Sequence, residues 1–224
     1  MSLQRPRLNP YSRPGLSDIP SALDVETNVA LDALKDNLDT LQAQWGPMVT
    51  PAQNLAAALS CLDDDGILLL LPGTYQIRAD LTLTRGCKLV GIGAVTLQLA
   101  GSHRISLQGA HCGLADLRVA CNDPIAPDVI LVAGEHCRLD RLDVATAGDV
   151  GVRIAASHCL ATGLRFHEQA APVTGSDVYV EDAATYATIC ATSWSTTRTF
   201  ALSYKGGSNA SEAANGPASI IEVR

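Results

Sequence analysis

The chain has few aromatic residues, no excess of positive charge and no long apolar run. Phenylalanine, tryptophan and tyrosine make up 4% of its 224 residues while 47% are hydrophobic, so its core must be built mainly from aliphatic side chains. A net charge of −7 excludes the basic surface with which a nucleic-acid-binding domain contacts phosphates. The apolar run at residues 67–71 is far too short to cross a membrane as a helix.

The first fifteen residues also lack the apolar segment of a signal peptide. We therefore expect synthesis in the cytoplasm, where thiols stay reduced. Residues 1–15 contain three arginines and three prolines and nothing that could build a core, which predicts an extended arm. The arm either stays free or docks on a partner subunit.

One pattern recurs between Leu81 and His167. Each copy carries a cysteine at the same point, and the spacings between these cysteines are 25, 25 and 22 residues; they are Cys87, Cys112, Cys137 and Cys159. Apolar and polar residues alternate within each copy, which is typical of β-strands, and a fixed period of this length indicates stacked repeats. The sequence therefore predicts a parallel β-helix in which equivalent residues lie about 4.8 Å apart.

The alternation also predicts which side chains point inward. The inward pairs of successive copies are Ile105 and Leu107, Ile130 and Val132, Val152 and Ile154, then Leu117 and Val119, Leu142 and Val144, Leu164 and Phe166. Arg118, Asp143 and Arg165 lie at equivalent outward positions between the members of the second group. We expect them to form a ladder of alternating charge on the surface.

Together with the lead-in Gly-Ile-Leu-Leu-Leu-Leu-Pro-Gly-Thr-Tyr at residues 66–75, the copies resemble the right-handed parallel β-helices of the pectin-lyase-like superfamily. The resemblance covers about Thr50 to His167. It implies an all-β fold, here a short right-handed parallel β-helix of about 4–5 coils with an N-terminal capping helix. The superfamily includes polysaccharide lyases, glycoside hydrolases, phage tailspikes and non-catalytic particle components, so the resemblance implies a fold rather than an activity.

The chain divides into four predicted segments: an extended arm (1–15), a helical segment (16–47), a capped parallel β-helix (48–168) and a small β-region (169–224) that closes the far end. Leucine and tryptophan at positions 31, 34, 38, 41 and 45 predict an apolar seam on the first helix. That helix either packs on its own β-helix or joins subunits, with a trimer favoured. Thr50, Pro51 and Gln53 predict the start of the capping helix.

A histidine precedes three of the four repeat cysteines, at His111, His136 and His158. Convergent histidine and cysteine ligands would indicate zinc. Because neighbouring side chains of a strand point to opposite faces, however, inward cysteines imply outward histidines. We therefore expect an outward stack of histidines over a buried column of thiols, with no metal and no other cofactor. Disulfides between neighbouring coils are the alternative for the thiols.

Two sets of residues are candidates for a site. Glycoside hydrolysis requires two carboxyl groups, and the available ones are Asp123, Asp128, Asp140 and Asp143, each of which is otherwise a surface carboxylate. The Asn-Thr-Asp, Gly-His-Gly and Arg-Ile-Lys motifs of polygalacturonase-like enzymes are absent. The second set is aromatic and would either stack on sugars or pack in the core: Tyr179, Tyr186, Trp194 and Tyr204.

These observations favour a non-catalytic structural or binding component of a larger assembly, such as a phage tail or a contractile injection particle, with a surface glycan as its candidate ligand. This function implies association with a virion or an injection particle. The alternative is a small polysaccharide-active enzyme, a lyase or a glycoside hydrolase, that works through the aspartates.

Overall fold

The computed structural model describes residues 46–168, 176–181, 184, 186–190, 193–195, 200–204 and 221–223, together with 29, 30, 32, 33, 35 and 36. The chain forms two units, Met1–Gln44 and Trp45–Arg224. In the first unit the six described residues are α-helical and exposed, and they fall within the predicted helical segment. The predicted arm and the five seam residues lie outside the described residues.

The second unit consists almost entirely of short strands, because its sequence alternates apolar and polar residues between frequent turns. Its described elements are, in chain order, β1 (Met48–Val49), α1 (Leu55–Ser60), β2 (Ile67–Leu70), β3 (Gly73–Ile77), β4 (Leu81–Leu83), β5 (Lys88–Gly91), β6 (Val95–Leu99), β7 (Ile105–Leu107), β8 (Gly113–Ala115), β9 (Arg118–Cys121), β10 (Asp128–Val132), β11 (Arg138–Asp140), β12 (Asp143–Thr146), β13 (Val150–Ile154), β14 (Leu160–Thr162), β15 (Arg165–Glu168), β16 (Ser176–Val180), β17 (Ala187–Cys190), β18 (Ser193–Ser195), β19 (Phe200–Tyr204) and β20 (Ile221–Val223).

These strands form three sheets. Sheet A has the order β1-β2-β5-β8-β11-β14-β17-β20, sheet B has β3-β6-β9-β12-β15-β18, and sheet C has β4-β7-β10-β13-β16-β19. The strands of sheets B and C are parallel throughout, and in sheet A only β20 pairs antiparallel, with β17. Each turn of the chain contributes one strand to each sheet. The fold is therefore a parallel β-solenoid, as the repeat predicted.

The solenoid has six turns rather than the expected 4–5, because strands β16 to β19 continue the same parallel pairing. The sixth turn lacks the histidine–cysteine signature on which the count depended. Tyr186 and Ala187 stand there in place of His158 and Cys159, since β14 pairs Leu160 with Thr188. Ala187 is fully buried, so a smaller side chain fills the position of the cysteine.

The predicted register is confirmed. Ile130 pairs with Ile105 on one side and with Val152 on the other, and Val144 pairs with Val119 and Phe166. All twelve residues predicted to point inward are buried, with exposures of at most 2%. The core is thus a set of aliphatic columns that run the length of the solenoid. Among the described residues no helix combines the length and apolar character needed to cross a membrane.

The four repeat cysteines form the predicted buried column, and all are free thiols. In three of them Sγ donates to a backbone carbonyl about one repeat earlier in the chain: Cys87 to Asp63 at 3.8 Å, Cys137 to Gly109 at 3.3 Å and Cys159 to Gly134 at 3.5 Å. Gly134 has no room for a side chain, since a Cβ there would lie 2.1 Å from the carbonyl oxygen of Gly109. Burial raises the pKa of the Cys159 thiol, which keeps it a donor.

The capping helix begins later than predicted. Thr50 N–H donates to Gln53 Oε1 at 2.7 Å, so half of the expected capping box forms, but it closes a turn rather than a helix. Helix α1 starts at Leu55 because Asn54 is the true N-cap, whose Oδ1 accepts the Ala57 N–H at 3.1 Å. Leu55 and Leu59 are buried against the first turn, as expected.

The register predicts the effect of placing a charge inside the solenoid. Leu142→Asp should lower the free energy of unfolding by more than about 3 kcal/mol, because it removes a buried leucine and leaves an unpaired carboxylate in the core. Thr82→Asp, on the exposed face of β4, is the matched control and should cost within about 1 kcal/mol. Urea unfolding followed by circular dichroism measures both. Equal stability of the two variants would contradict the register.

Candidate functional site

The turn that leads into each of six sheet A strands has a left-handed residue at the same place, just before the strand begins. We call these six residues the turn column; they are Asp65, Gly86, His111, His136, His158 and Tyr186, with φ between 57° and 72°. Each directly precedes the column that contains the four cysteines. The left-handed turn, rather than strand alternation, is what directs the histidines outward, so the predicted outward stack is confirmed for a different local reason.

The rings of the turn column are stacked. Ring centroids of His111 and His136 are 5.2 Å apart, those of His136 and His158 are 4.9 Å apart, and Tyr186 lies 5.0 Å beyond His158. Neighbouring planes are inclined by 7° to 13°. All four side chains are exposed. The column therefore presents a row of ring edges to solvent over four successive turns.

The three histidines of the column differ from the other two in the chain. His103 Nδ1 lies 3.3 Å from Asp80, and His167 Nε2 lies 3.2 Å from Asp143. The stacked imidazoles make no hydrogen bond or ion pair with any described residue. In the described part of the chain, no group of three or more histidine, cysteine or acidic side chains is arranged to hold a metal ion.

A second group of side chains runs diagonally across sheet C, from the start of β4 to the end of β16, and takes one charge from each of five turns. This sheet C network consists of Asp80, Arg104, Asp128, Arg153 and Glu181, whose charges alternate in sign. Asp128 lies at its centre with a side chain only 2% exposed. Arg104 Nη1 donates to its two oxygens at 3.0 and 3.3 Å, and Arg153 Nε lies 3.6 Å away on the other side.

The outer end of the network includes one of the predicted aromatic residues. Arg153 Nη1 donates to Glu181 Oε1 at 3.3 Å, and its guanidinium carbon lies 4.8 Å from the centre of the Tyr179 ring. A cation over a tyrosine face is attracted by the electrons of the ring. One face of Tyr179 is therefore covered by Arg153 rather than open to a ligand.

The corner between sheets A and B holds a further cluster. Arg141 donates to both oxygens of Asp116, from Nε at 2.6 Å and from Nη2 at 2.7 Å, and its Nη1 donates to Asp140 at 2.6 Å. Arg138 lies 3.7 Å from the same oxygen of Asp140. The two-pronged hydrogen bond from Arg141 holds the pKa of the Asp116 carboxyl below its usual value.

The structure does not gather the four candidate catalytic aspartates into one site. Asp123 and Asp128 flank the loop from sheet B to sheet C, whereas Asp140 and Asp143 lie at the A–B corner, about 10 Å away along the four residues of β12. Asp123 Oδ1 accepts the Ile125 N–H, and the other three are held by arginine or histidine as described.

The predicted charge ladder has the expected register but not the expected ion pairs. Asp143 pairs in the strand ladder with Arg118 and with Arg165. Its carboxylate lies beside His167 instead, and neither arginine comes within ion-pair distance of a described acidic side chain. Both arginines are exposed, so water solvates them and rotamer freedom favours the unpaired state.

The four candidate sugar-binding aromatics lie in different places. Tyr179 is on sheet C, Tyr186 ends the turn column, and Trp194 and Tyr204 are in strands β18 and β19. In the strand ladders Trp194 pairs with Phe166, and Tyr204 pairs with Val180, both of which are buried. The four residues therefore do not share one column.

Two grooves flank α1. The larger, of about 440 Å³, runs beside the end of β3, and the smaller, of about 220 Å³, runs beside β4. Each groove contains only one carboxylate in its lining, and in both cases it is Asp80. That carboxylate is already occupied, because the Arg104 backbone N–H donates to it at 3.2 Å.

Sequence reasoning missed Arg104 and Arg153 as partners of Asp128, and Glu181 as a further partner of Arg153. The repeat does not predict these contacts, because the register pairs Asp128 with Val150 and Arg153 with Leu131, so the two side chains lie at different positions of their strands. Comparisons of the chain with protein-family models, with curated proteins and with solved structures find no match.

The sheet C network predicts a large difference between two ion pairs. Asp128→Asn should lower the free energy of unfolding by about 3 kcal/mol, because it leaves two arginines without their buried partner. Asp64→Asn is the control, since its pair with Arg85 is exposed, and it should cost less than about 1 kcal/mol. Urea unfolding of both variants gives the comparison. Equal costs would show that Asp128 does not hold the network.

The A–B corner predicts a measurable titration. The lowered pKa of Asp116 means that its bond to Arg141 stabilises the fold above the unfolded-state pKa of about 3.9 and is lost as pH falls through the lowered value. Carbon NMR should find the Asp116 pKa below that of a free aspartate side chain, and Arg141→Gln should raise it toward the free value. Arg138→Gln is the control and should leave Asp116 unchanged, because Arg138 contacts Asp140 instead. An Asp116 pKa that does not respond to Arg141→Gln would contradict this assignment.

Proposed function

We propose that the chain is a non-catalytic structural or binding component of a larger assembly, such as a phage tail or a contractile injection particle. The β-solenoid serves as a rigid scaffold, and the N-terminal segments attach it to other subunits. The observation that carries this proposal is that the candidate acids are already paired. Asp128, Asp140 and Asp143 each face an arginine or a histidine rather than an open cleft.

The grooves support the same conclusion. Two-carboxylate hydrolysis requires an acid and a second carboxylate across the sugar. Each groove beside α1 offers Asp80 alone, and Asp80 is engaged by Arg104 and His103. The ion pairs of the sheet C network and of the A–B corner thus connect neighbouring turns to one another, which is what a rigid element of an assembly requires.

The outer surface also supports a binding role. Tyr186 is 59% exposed at one end of the stacked rings, and Arg118 and Arg165 project from sheet B without acidic partners among the described residues. Exposed aromatic and guanidinium groups at fixed spacings suit a ligand with its own repeat. A surface glycan is the ligand that we propose.

The oligomeric state tests the proposal. We expect light scattering to give a trimer for the full chain and for residues 16–224, and a monomer for residues 48–224, because the apolar seam of the helical segment would join the subunits. The version that starts at residue 16 is the matched control, since it lacks only the arm. A monomer in all three cases, together with no binding on a glycan array, would contradict the proposal.

A second measurement separates this function from catalysis. Purified chain incubated with uronate-containing and capsule polysaccharides should release no reducing or unsaturated ends. Turnover that Asp143→Asn abolishes, while the fold stays intact by circular dichroism, would overturn the non-catalytic assignment in favour of a polysaccharide-active enzyme.

A further inference from the structure

The stacked histidines of the turn column have a chemistry that the proposed function does not use. Three imidazoles lie one per turn at exposed positions, and their ring nitrogens meet no hydrogen-bonding or charged group among the described residues. His103 and His167, by contrast, are committed to aspartates. At neutral pH an uncommitted imidazole offers a lone pair, and imidazole is a ligand for zinc, nickel and copper.

We infer that adjacent histidines of the turn column bind a divalent transition-metal ion between them, with water completing the coordination. The two overlapping sites are His111 with His136 and His136 with His158. Neither is a closed site of four convergent protein ligands, because each uses two imidazoles from neighbouring turns. The inference is independent of the proposed function.

The spacing of the rings determines how the histidine side chains must move to bind one metal ion. Metal–nitrogen bonds are about 2.0–2.1 Å, so two nitrogens on one ion lie at most about 4.2 Å apart. The ring centroids are now 5.2 and 4.9 Å apart and the planes nearly parallel, and an imidazole donates its lone pair in the plane of its ring, so adjacent rings must tilt toward each other until their lone pairs converge on the ion. Because the side chains are exposed, this tilt requires rotation at the side chain and no change in the core.

His136 is the residue on which both sites depend. It lies between the other two histidines, and without it His111 and His158 are separated by two turns, or about 10 Å. That separation is too long for one ion. A phenylalanine at position 136 keeps a ring in the stack and removes the nitrogens, so it separates the structural role of the ring from its role as a ligand.

The two sites also predict that metal binding raises the stability of the fold. A metal ion that joins imidazoles of successive turns links parts of the solenoid that separate on unfolding. Binding to the folded chain alone raises its stability. Metal should therefore raise the thermal midpoint of the wild-type chain.

The experiment uses the full-length chain without a histidine tag, in a Cys61→Ser background that removes the exposed thiol as a competing ligand. Isothermal titration with Ni²⁺ and Zn²⁺ near neutral pH should show binding that falls at least tenfold in His136→Phe. His167→Phe is the matched control and should bind as the parent does. The thermal midpoint should rise with metal in the parent and in His167→Phe but not in His136→Phe.

A measurement on the parent chain keeps the test decisive if His136→Phe does not fold. Nitrogen NMR of the histidine rings should show Zn²⁺-dependent shifts at His111, His136 and His158 and none at His103 or His167. Absence of binding at a metal concentration of about 1 mM, where even a weak complex forms, would overturn the inference. Undiminished binding by His136→Phe, or shifts confined to His103 and His167, would overturn it as well.

Discussion

Every position of the solenoid lies against its own equivalent one turn away, and this constraint governs the rest of the structure. Strands of a sheet are about 4.8 Å apart, so each side chain must tolerate a similar neighbour above and below it. Inside, the constraint is met by columns of leucine, isoleucine and valine, which pack without polar atoms that need partners. Outside, it is met by stacked rings and by charges that alternate in sign.

The same constraint explains why the core contains cysteine. The C–A turns bring backbone carbonyls of Gly109 and Gly134 close to the next turn, where the thiols of Cys137 and Cys159 reach them. A thiol is small enough for the column and is a weak donor to these oxygens. Serine would donate more strongly but costs more to bury, and alanine would leave the carbonyl without this contact. Cysteine combines a low cost of burial with a weak hydrogen bond to the carbonyl, and it occupies this position in four successive turns.

Much of this could be read from the sequence, because a repeat amplifies weak signals. The pairing of Ile105 with Ile130 and of Asp143 with Arg118 followed from spacing alone, since one register fixes every column at once. The sixth turn was missed because Tyr186 and Ala187 replace the two residues that marked the others. The start of α1 was misplaced because Thr50 and Asn54 are both good N-caps, and only the position of the first turn decides between them.

The candidate site was less predictable than the fold. Spacing placed Asp128 and Asp140 correctly in their coils, but ion pairing depends on side-chain rotamers, which periodicity does not specify. Arg153 reaches sideways to Asp128 and onward to Glu181, whereas Arg118 and Arg165 leave Asp143 to His167. The left-handed turn at His136 could not be predicted either, because a positive φ is uncommon for any residue other than glycine and the sequence has no glycine at that position.

The alternating sheet C network restricts how this architecture can change in length. Asp80, Arg104, Asp128, Arg153 and Glu181 follow one another with opposite charges in successive turns. Loss or duplication of one inner coil would put two arginines or two carboxylates on neighbouring turns, while loss or duplication of two coils would preserve the order of signs. Along this face, insertion or deletion of coils in pairs therefore keeps the alternation of charge. A change in length by a single coil requires that one charged residue of the network is first replaced by an uncharged one.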